Sequence, residues 1–251
     1  MTHAYTTYLL GGSKGIALDV AKRLASQKQP LTLIARGASE LTAAAKELTQ
    51  LGSPEVTTIS CDLSQAENVD KLCAQIAEDT RHIQGLVNAA GYFAPKAFLD
   101  QTRADYRQYL DLNEALFLTT QAVAKNMKAH GGGSIVNIVS IAAYRGNPSV
   151  GAYSSSKAGV VALTEVTALE WGPRGIRCNL VAAGPIKTMA AKSIPGFKKF
   201  EDIWDDRAPL GWDVSDPIPV AKTVLALMSD WFPATTGEVI HVDGGFHAMG
   251  A

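Results

Sequence analysis

Tyr5-Thr-Thr-Tyr-Leu-Leu-Gly-Gly-Ser-Lys-Gly-Ile-Ala17 is the stretch that decides the fold. Residues 5–10 are apolar and β-branched, Gly11, Gly12 and Gly15 follow, and Ile16, Val20 and Leu24 then recur at helical spacing. Strand, glycine-rich turn and helix in that order are the context a phosphate-cradling loop needs. Gly11 permits the tight turn, and Gly15 lets backbone N–H groups approach a pyrophosphate. Ser13, Lys14 and Ile16 line the same path, and the helix N-terminus adds the positive end of its dipole. Ala17 is small enough to keep helix and strand close. A βα turn with no ligand is the competing reading, since glycine is frequent in such turns.

Working outward, the alternation continues to the end of the chain. Residues 31–35, 56–60, 83–88, 134–140, 176–182 and 238–242 read as further strands. Between them, 16–28, 39–51, 65–81, 102–130, 153–171 and 219–229 read as helices. Such alternation predicts an α/β fold of the Rossmann type, a doubly wound parallel sheet with helices on both faces. There is no internal repeat or linker, so residues 1–251 are expected to form one dinucleotide-binding domain. The segment from about 187 to 216 breaks the alternation, carries Trp204 and Trp212, and is expected to be a substrate lid. Met189, Ile194, Phe197, Phe200, Ile203 and Trp204 in it suit an apolar guest, or lid packing alone.

Tyr153 and Lys157 are four positions apart on one predicted helix, and Ser140 ends the strand before it. At that spacing phenol and ammonium share a helical face, where the lysine charge is expected to draw the tyrosine pKa down. A tyrosine so tuned would exchange protons near neutral pH. Alone, the pair would read as a structural one; beside the glycine turn it reads as a catalytic one.

These motifs together resemble the short-chain dehydrogenase/reductase family over nearly the whole chain. Its glycine motif appears as Leu10-Gly-Gly-Ser-Lys-Gly-Ile-Ala17, and its adenine-contacting step as Asp62-Leu63. Its N-N-A-G appears as Asn88-Ala89-Ala90-Gly91, and its catalytic asparagine as Asn113. The serine, tyrosine and lysine fall at Ser140, Tyr153 and Lys157, and the turn after the sixth strand at Ala183-Gly184-Pro185-Ile186-Lys187-Thr188. Leu10, Ala17, Ala89 and Ala183 depart from the family pattern without removing a reacting group. The resemblance implies a seven-stranded sheet in the order 3-2-1-4-5-6-7 and a homotetramer. It implies that Ser140 and Tyr153 hold a carbonyl oxygen while Tyr153 gives the proton. It also implies that Lys157 binds the nicotinamide ribose, that Asn113 holds a water leading to Lys157, and that Ile186 and Thr188 meet the carboxamide.

The end of the second strand bears on the cofactor. Arg36 follows directly, no acid comes before Glu40, and Lys14 adds a second positive charge. An acid there would accept a ribose 2′-OH, whereas basic groups suit a 2′-phosphate, so NADP(H) is expected over NAD(H), which stays possible as a substitute.

The last third carries a conflicting signal. Residues 179–188, Arg207-Ala-Pro-Leu-Gly-Trp212, Ser229-Asp-Trp231 and His241-Val-Asp-Gly-Gly-Phe-His247 resemble enoyl-thioester reductases of the same superfamily. Those usually space tyrosine and lysine by seven positions, whereas four is typical of carbonyl reductases. Tyr144 is the substitute tyrosine such a reading would use, though a loop packing role is simpler. The primary expectation is a carbonyl reductase of the 3-oxoacyl thioester or ketone type. The alternatives are an enoyl-thioester reductase and, from another class, a catalytically idle cofactor sensor or scaffold.

Composition limits the partners. The chain has 251 residues, 47% hydrophobic and 19% charged, with net charge −1, which gives no electrostatic case for nucleic acid or an anionic membrane. No metal ligand cluster is evident. Cys61, Cys73 and Cys178 are expected as free buried thiols. With no apolar span or basic-then-apolar leader, a cytoplasmic protein is expected. The partner is expected to be an apolar carbonyl or acyl-thioester, with an acyl carrier protein as one possible presenter. Lys125 and Lys128 would suit such an acidic carrier, or simply complement the helix dipole.

Overall fold

The computed structural model describes residues 4–187 and 197–249, with 197–201 as backbone only. In chain order the elements are β1 (Tyr5–Leu10), α1 (Gly15–Ser26), β2 (Leu31–Ala35), α2 (Ala38–Gln50), β3 (Val56–Ser60), α3 (Ala66–Glu78) and β4 (His82–Asn88). Then follow α4 (Arg103–Ala129), β5 (Gly133–Ser140), α5 (Gly151–Trp171), β6 (Ile176–Ala183), α6 (Phe197–Arg207), α7 (Ile218–Met228) and β7 (Val239–Val242). The strands pair in parallel in the order β3-β2-β1-β4-β5-β6-β7, as expected from the sequence.

Alternate strand residues enter opposite cores. Leu9, Leu31, Leu33 and Val136 pack with Val20 of α1, Leu41 of α2 and Val224 of α7. Tyr8, Leu10, Ile34 and Ile135 pack on the other face with Leu72 of α3, Val123 of α4 and Ala168 of α5. Both faces are thus covered, and the inner strands need apolar residues throughout rather than a polar alternation. Each fully buried leucine or isoleucine contributes roughly 1.5–3 kcal/mol of transfer free energy. The edge strand β3 is less buried and tolerates Thr57, Thr58 and Ser60.

Because every strand runs the same way, their C-terminal ends share one rim, where ligands of open α/β sheets bind. Gly11, Arg36, Asp62, Ala89, Ser140 and Gly184 all lie just past a strand or at its last residue on that rim. A capping box starts α4: Thr102 accepts from the Asp105 N–H at 3.2 Å, and the Asp105 carboxylate accepts from the Thr102 N–H at 2.7 Å. Lys96 pairs with the same carboxylate at 2.7 Å, which ties the segment after β4 to α4 beside the rim. The resulting hydrogen bonds hold the Asp105 carboxyl far below the usual carboxylate range. Cys61 and Cys178 are free and buried, whereas Cys73, also free, is half-buried.

Candidate active site

At the turn between β1 and α1, the N–H groups of Gly11 and Gly12 both donate to the Ile34 carbonyl, at 2.8 and 3.1 Å. Gly11 has φ +81°, and a Cβ there would lie 3.1 Å from the Ala90 nitrogen, so the turn needs glycine for both conformation and space. Gly15 opens α1 with φ +60°. No side chain caps α1 and no acid lies in its first turn. The N–H donors around Ser13, Lys14, Gly15 and Ile16 therefore meet an anion without an internal competitor, which fits a dinucleotide pyrophosphate.

Arg36 is exposed immediately after β2, as expected. Glu40, the first acid after β2 in the sequence, folds back beside that strand end. Its carboxylate lies where a Cβ of Gly37 would be, and Ser39 Oγ donates to it at 3.0 Å. Its own backbone N–H, then Ser39 and the charge of Lys14, lower its pKa. The Lys14 charge is thus felt by an acid at the N-terminus of α2. The signal was available in sequence: the third residue of a helix can reach back to its cap.

Asp62 Oδ1 accepts from the Ser64 N–H at 3.1 Å and the Ser64 hydroxyl at 2.8 Å, shaping the turn after β3. Leu63 is buried beneath it. Asn88 is 2% exposed and donates to Asn137 Oδ1 at 2.7 Å and Thr120 Oγ1 at 3.3 Å. Its side chain therefore ties β4 to β5 and α4 inside the fold. The following Ala89 and Ala90 form the wall against which Gly11 packs, and a Cβ on Gly91 would meet open space.

Ser140, at the end of β5, and Tyr153, in the first turn of α5, bring their hydroxyls together, near enough for Ser140 to favour the phenolate. The Ser140 oxygen also accepts from the Ala142 N–H at 3.3 Å. Lys157 lies one turn beyond Tyr153, with Nζ 5.8 Å from the phenol ring centroid and donating to the Ile138 carbonyl at 3.0 Å. Here the sequence expectation needs correction. Burial, not the lysine charge, dominates the phenol: Tyr153 is pushed up to about 12, with the Ser140 hydrogen bond opposing. Burial likewise brings Lys157 down to about 8, so two groups disfavour their charged forms side by side. The ammonium spends its visible hydrogen bond on a backbone carbonyl, which spacing along α5 could not reveal.

Asn113 lies on α4 and is locked to the residue before Lys157. Ser156 Oγ donates to its Oδ1 at 2.8 Å, and its Nδ2 donates to the Ser156 carbonyl at 3.1 Å. One donor and one lone pair remain on the amide. A Cβ at Gly159 would lie 3.2 Å from Nδ2, so α4 and α5 approach closely here. Around the phenol, Phe93 meets the Tyr153 ring edge-on at 5.0 Å and Tyr109 at 6.1 Å.

After β6, the Trp212 indole donates to the Pro185 carbonyl at 2.8 Å, and a Cβ on Gly184 would strike its ring at 2.6 Å. Ile186 packs on the core, while Thr188, Met189 and Ile194 lie outside the described residues, as do the side chains of Phe197 and Phe200. Trp204 is buried, stacks on Phe246 at 3.9 Å and approaches Trp212 at 6.4 Å. Of the two roles open to it, packing α6 onto the sheet is the one its contacts serve. Tyr144 points to His241, ring to ring at 6.0 Å, and burial holds its hydroxyl at about 12. No group of three or more potential metal ligands occurs among the described residues, and no helix there is long and apolar enough to cross a membrane.

A family model described as enoyl-(acyl carrier protein) reductase matches residues 11–247. The chain is 33% identical to an NADH-specified enoyl-[acyl-carrier-protein] reductase of Mycolicibacterium smegmatis, across 92% of this chain and 90% of that protein. It is 34% identical to carbonyl reductase family member 4 of Xenopus laevis, across 94% of this chain and 95% of that protein. A solved structure described as a short chain dehydrogenase/reductase family protein superposes with TM-score 0.85 at 31% identity, covering 98% of this chain and 99% of the other.

Proposed function

The chain belongs to the short-chain dehydrogenase/reductase family of nicotinamide-dependent oxidoreductases, and from that premise we propose that it interconverts a carbonyl and a secondary alcohol, on a ketone or 3-oxoacyl thioester, with preference for NADP(H). The observation that carries this reading is the convergence of the Ser140 hydroxyl on the Tyr153 phenol, with the Lys157 Nζ 5.8 Å from the phenol ring centroid. When bound, the dinucleotide supplies hydride to the carbonyl carbon. The two hydroxyls hold the carbonyl oxygen in place. Tyr153 gives its proton as the alkoxide forms, and takes it back in the reverse direction. A phenol at about 12 is a poor acid until a cation favours its phenolate, and Lys157 is the cation at hand. Asn113 fixes α4 to Ser156 and so sets the lysine's approach, with its remaining polar capacity available to a water on the way to solvent.

The pyrophosphate would lie on Gly11, Ser13, Lys14, Gly15 and Ile16, the adenine against Asp62 and Leu63, and the central ribose and ring beside Ala89, Ala90 and Gly91. Pro185, Ile186 and Thr188 would meet the carboxamide. Arg36 and Lys14 favour a 2′-phosphate, and Glu40 opposes it. We take the two cations to outweigh one acid already engaged by Ser39 and its own backbone. A lid over 187–216 and a homotetramer belong to the same reading. The latter is supported by apolar residues left exposed on α4 and α5: Phe117 (49%), Val166 (50%) and Leu169 (78%).

The matched family description and the mycobacterial relative favour a second reading, an enoyl-thioester reductase, with an acyl carrier protein presenting the substrate. In that reaction charge builds on the thioester oxygen, three bonds from the carbon that accepts hydride. The Ser140–Tyr153 pair suits an oxygen on the accepting carbon itself. Replacing Tyr153 by Phe tests either use of the phenol. Turnover should fall at least about a hundredfold, the usual weight of a general acid, while dinucleotide binding followed by fluorescence stays intact. Near-full activity in Tyr153→Phe would overturn the proposal.

A further inference from the structure

We infer that Tyr109 is a positioning residue for this site, its hydroxyl strapping the segment after β4 over the rim and its ring holding the Tyr153 phenol in orientation. The inference rests on the reading of Tyr153 as the proton donor. Tyr109 lies one turn before Asn113 on α4, so both side chains leave the same face toward α5. It is 4% exposed, unlike its neighbours Tyr106 and Leu110 on the same helix, at 43% and 37%.

Its hydroxyl makes two contacts with one residue. It accepts from the Ala94 N–H at 3.1 Å and reaches the Ala94 carbonyl at 3.4 Å. Residues 91–95 have no regular structure, and among the described residues these are their only hydrogen bonds. The next anchors begin at Lys96, whose N–H donates to the Ser149 carbonyl at 2.8 Å. Gln101 then accepts from the Ala152 N–H at 3.1 Å, one residue before Tyr153. Strapped Ala94 is followed back along the chain by Phe93, the ring that meets Tyr153 edge-on. The hydroxyl of Tyr109 therefore sets where the Phe93 wall stands.

The Tyr109 ring does the second job. It approaches Tyr92 at 5.3 Å and Tyr153 at 6.1 Å with an interplanar angle of 68°, within the range of edge-to-face pairs. Tyr153 is thereby flanked by two rings, Phe93 and Tyr109, while the Ser140 hydroxyl acts on its phenol. A tyrosine on α4 is otherwise an awkward choice for a core position, because a buried phenol needs a partner, and Ala94 supplies it.

The two roles separate in kinetics. Tyr109→Phe keeps the ring and loses the strap, so KM for acetoacetyl-CoA should rise about fivefold, the weight of one net hydrogen bond, with kcat within about twofold of wild type. Tyr109→Leu loses both, so kcat should also fall at least about tenfold, since small misplacements of a reacting group are costly. The alkaline limb of its kcat profile should move to lower pH, because opening the ring cluster admits water to the phenol. Dinucleotide affinity should be unchanged in both. A purely structural tyrosine would lower Tm in both variants and leave kcat, KM and the pH profile as in wild type, and that result overturns the inference. Should the leucine variant not fold, an unchanged KM in Tyr109→Phe overturns it alone. Tyr153→Phe, run alongside, tells the two failures apart: if it stays active the site reading has failed, and if it is inactive while the Tyr109 variants match wild type, only the strap has failed.

Discussion

Burial draws the Lys157 ammonium from 10.5 down to about 8. At about 1.4 kcal/mol per decade, that difference corresponds to roughly 3 kcal/mol against the folded state at neutral pH, where the unfolded chain solvates the same charge freely. Lys157→Met keeps the stem and removes the charge. It also removes the donor to the Ile138 carbonyl, a loss of about 1 kcal/mol. The variant should therefore be more stable than wild type by about 2 kcal/mol at pH 7 while losing turnover. The sign changes with pH. Between pH 8 and 10.5 the unfolded wild-type chain binds more protons at this site than the folded one, so wild-type stability gains with rising pH through that window. Above 10.5 the lysine is neutral in both states, only the lost hydrogen bond remains, and wild type should lead by about 1 kcal/mol. Urea unfolding of both proteins at pH 7 and near pH 10.5, without dinucleotide, reads the crossing. Comparing variant with wild type cancels other alkaline effects, such as the Cys178 thiol that burial pushes up to about 12. A methionine variant less stable than wild type at pH 7 would refute the reasoning, because the lysine would then be a structural contact rather than a charge held at a cost to the fold.

Replacing Arg36 by Asp should weaken NADPH by at least about tenfold and NADH far less in fluorescence titrations, since an acid would face the 2′-phosphate and could accept the 2′-OH. Equal effects on both would place the phosphate elsewhere. Glu40→Gln should do the opposite, tightening NADPH about threefold with little change for NADH, in keeping with the modest weight of exposed charges; weaker NADPH binding would mean the carboxylate supports that pocket. Light scattering at micromolar concentration should give four times the chain mass, and a monomer would leave the exposed faces of α4 and α5 unexplained.

Most of the fold could be read from residue patterns because the apolar runs are strongly periodic and the breaks between them carry glycine. β1, β2 and β3 begin and end where their residues predict, and the helices shift by one to three residues at ends that fray. Tyr153, Lys157 and Ser140 were legible because two share a helix face and the third ends the adjoining strand. What could not be read depends on side-chain direction across elements. The reach of Lys157 to Ile138, the grip of Ser156 on Asn113 and the interior role of Asn88 each join residues far apart in the chain. The tyrosine pKa was misjudged for the same reason: the rings of Phe93 and Tyr109 that desolvate it come from a loop and a helix many residues upstream.

The central claim is that Ser140 and Tyr153 act on an oxygen bonded to the hydride-accepting carbon. The most direct test is to assay acetoacetyl-CoA and crotonyl-CoA side by side, with NADPH and with NADH, and compare kcat/KM. Carbonyl reduction should be favoured at least about tenfold, a difference of about 1.4 kcal/mol in the barrier. A preference for the enoyl thioester over every carbonyl tested would contradict the account, and would assign the choice of reaction to the segment after β6 rather than to the spacing of Tyr153 and Lys157.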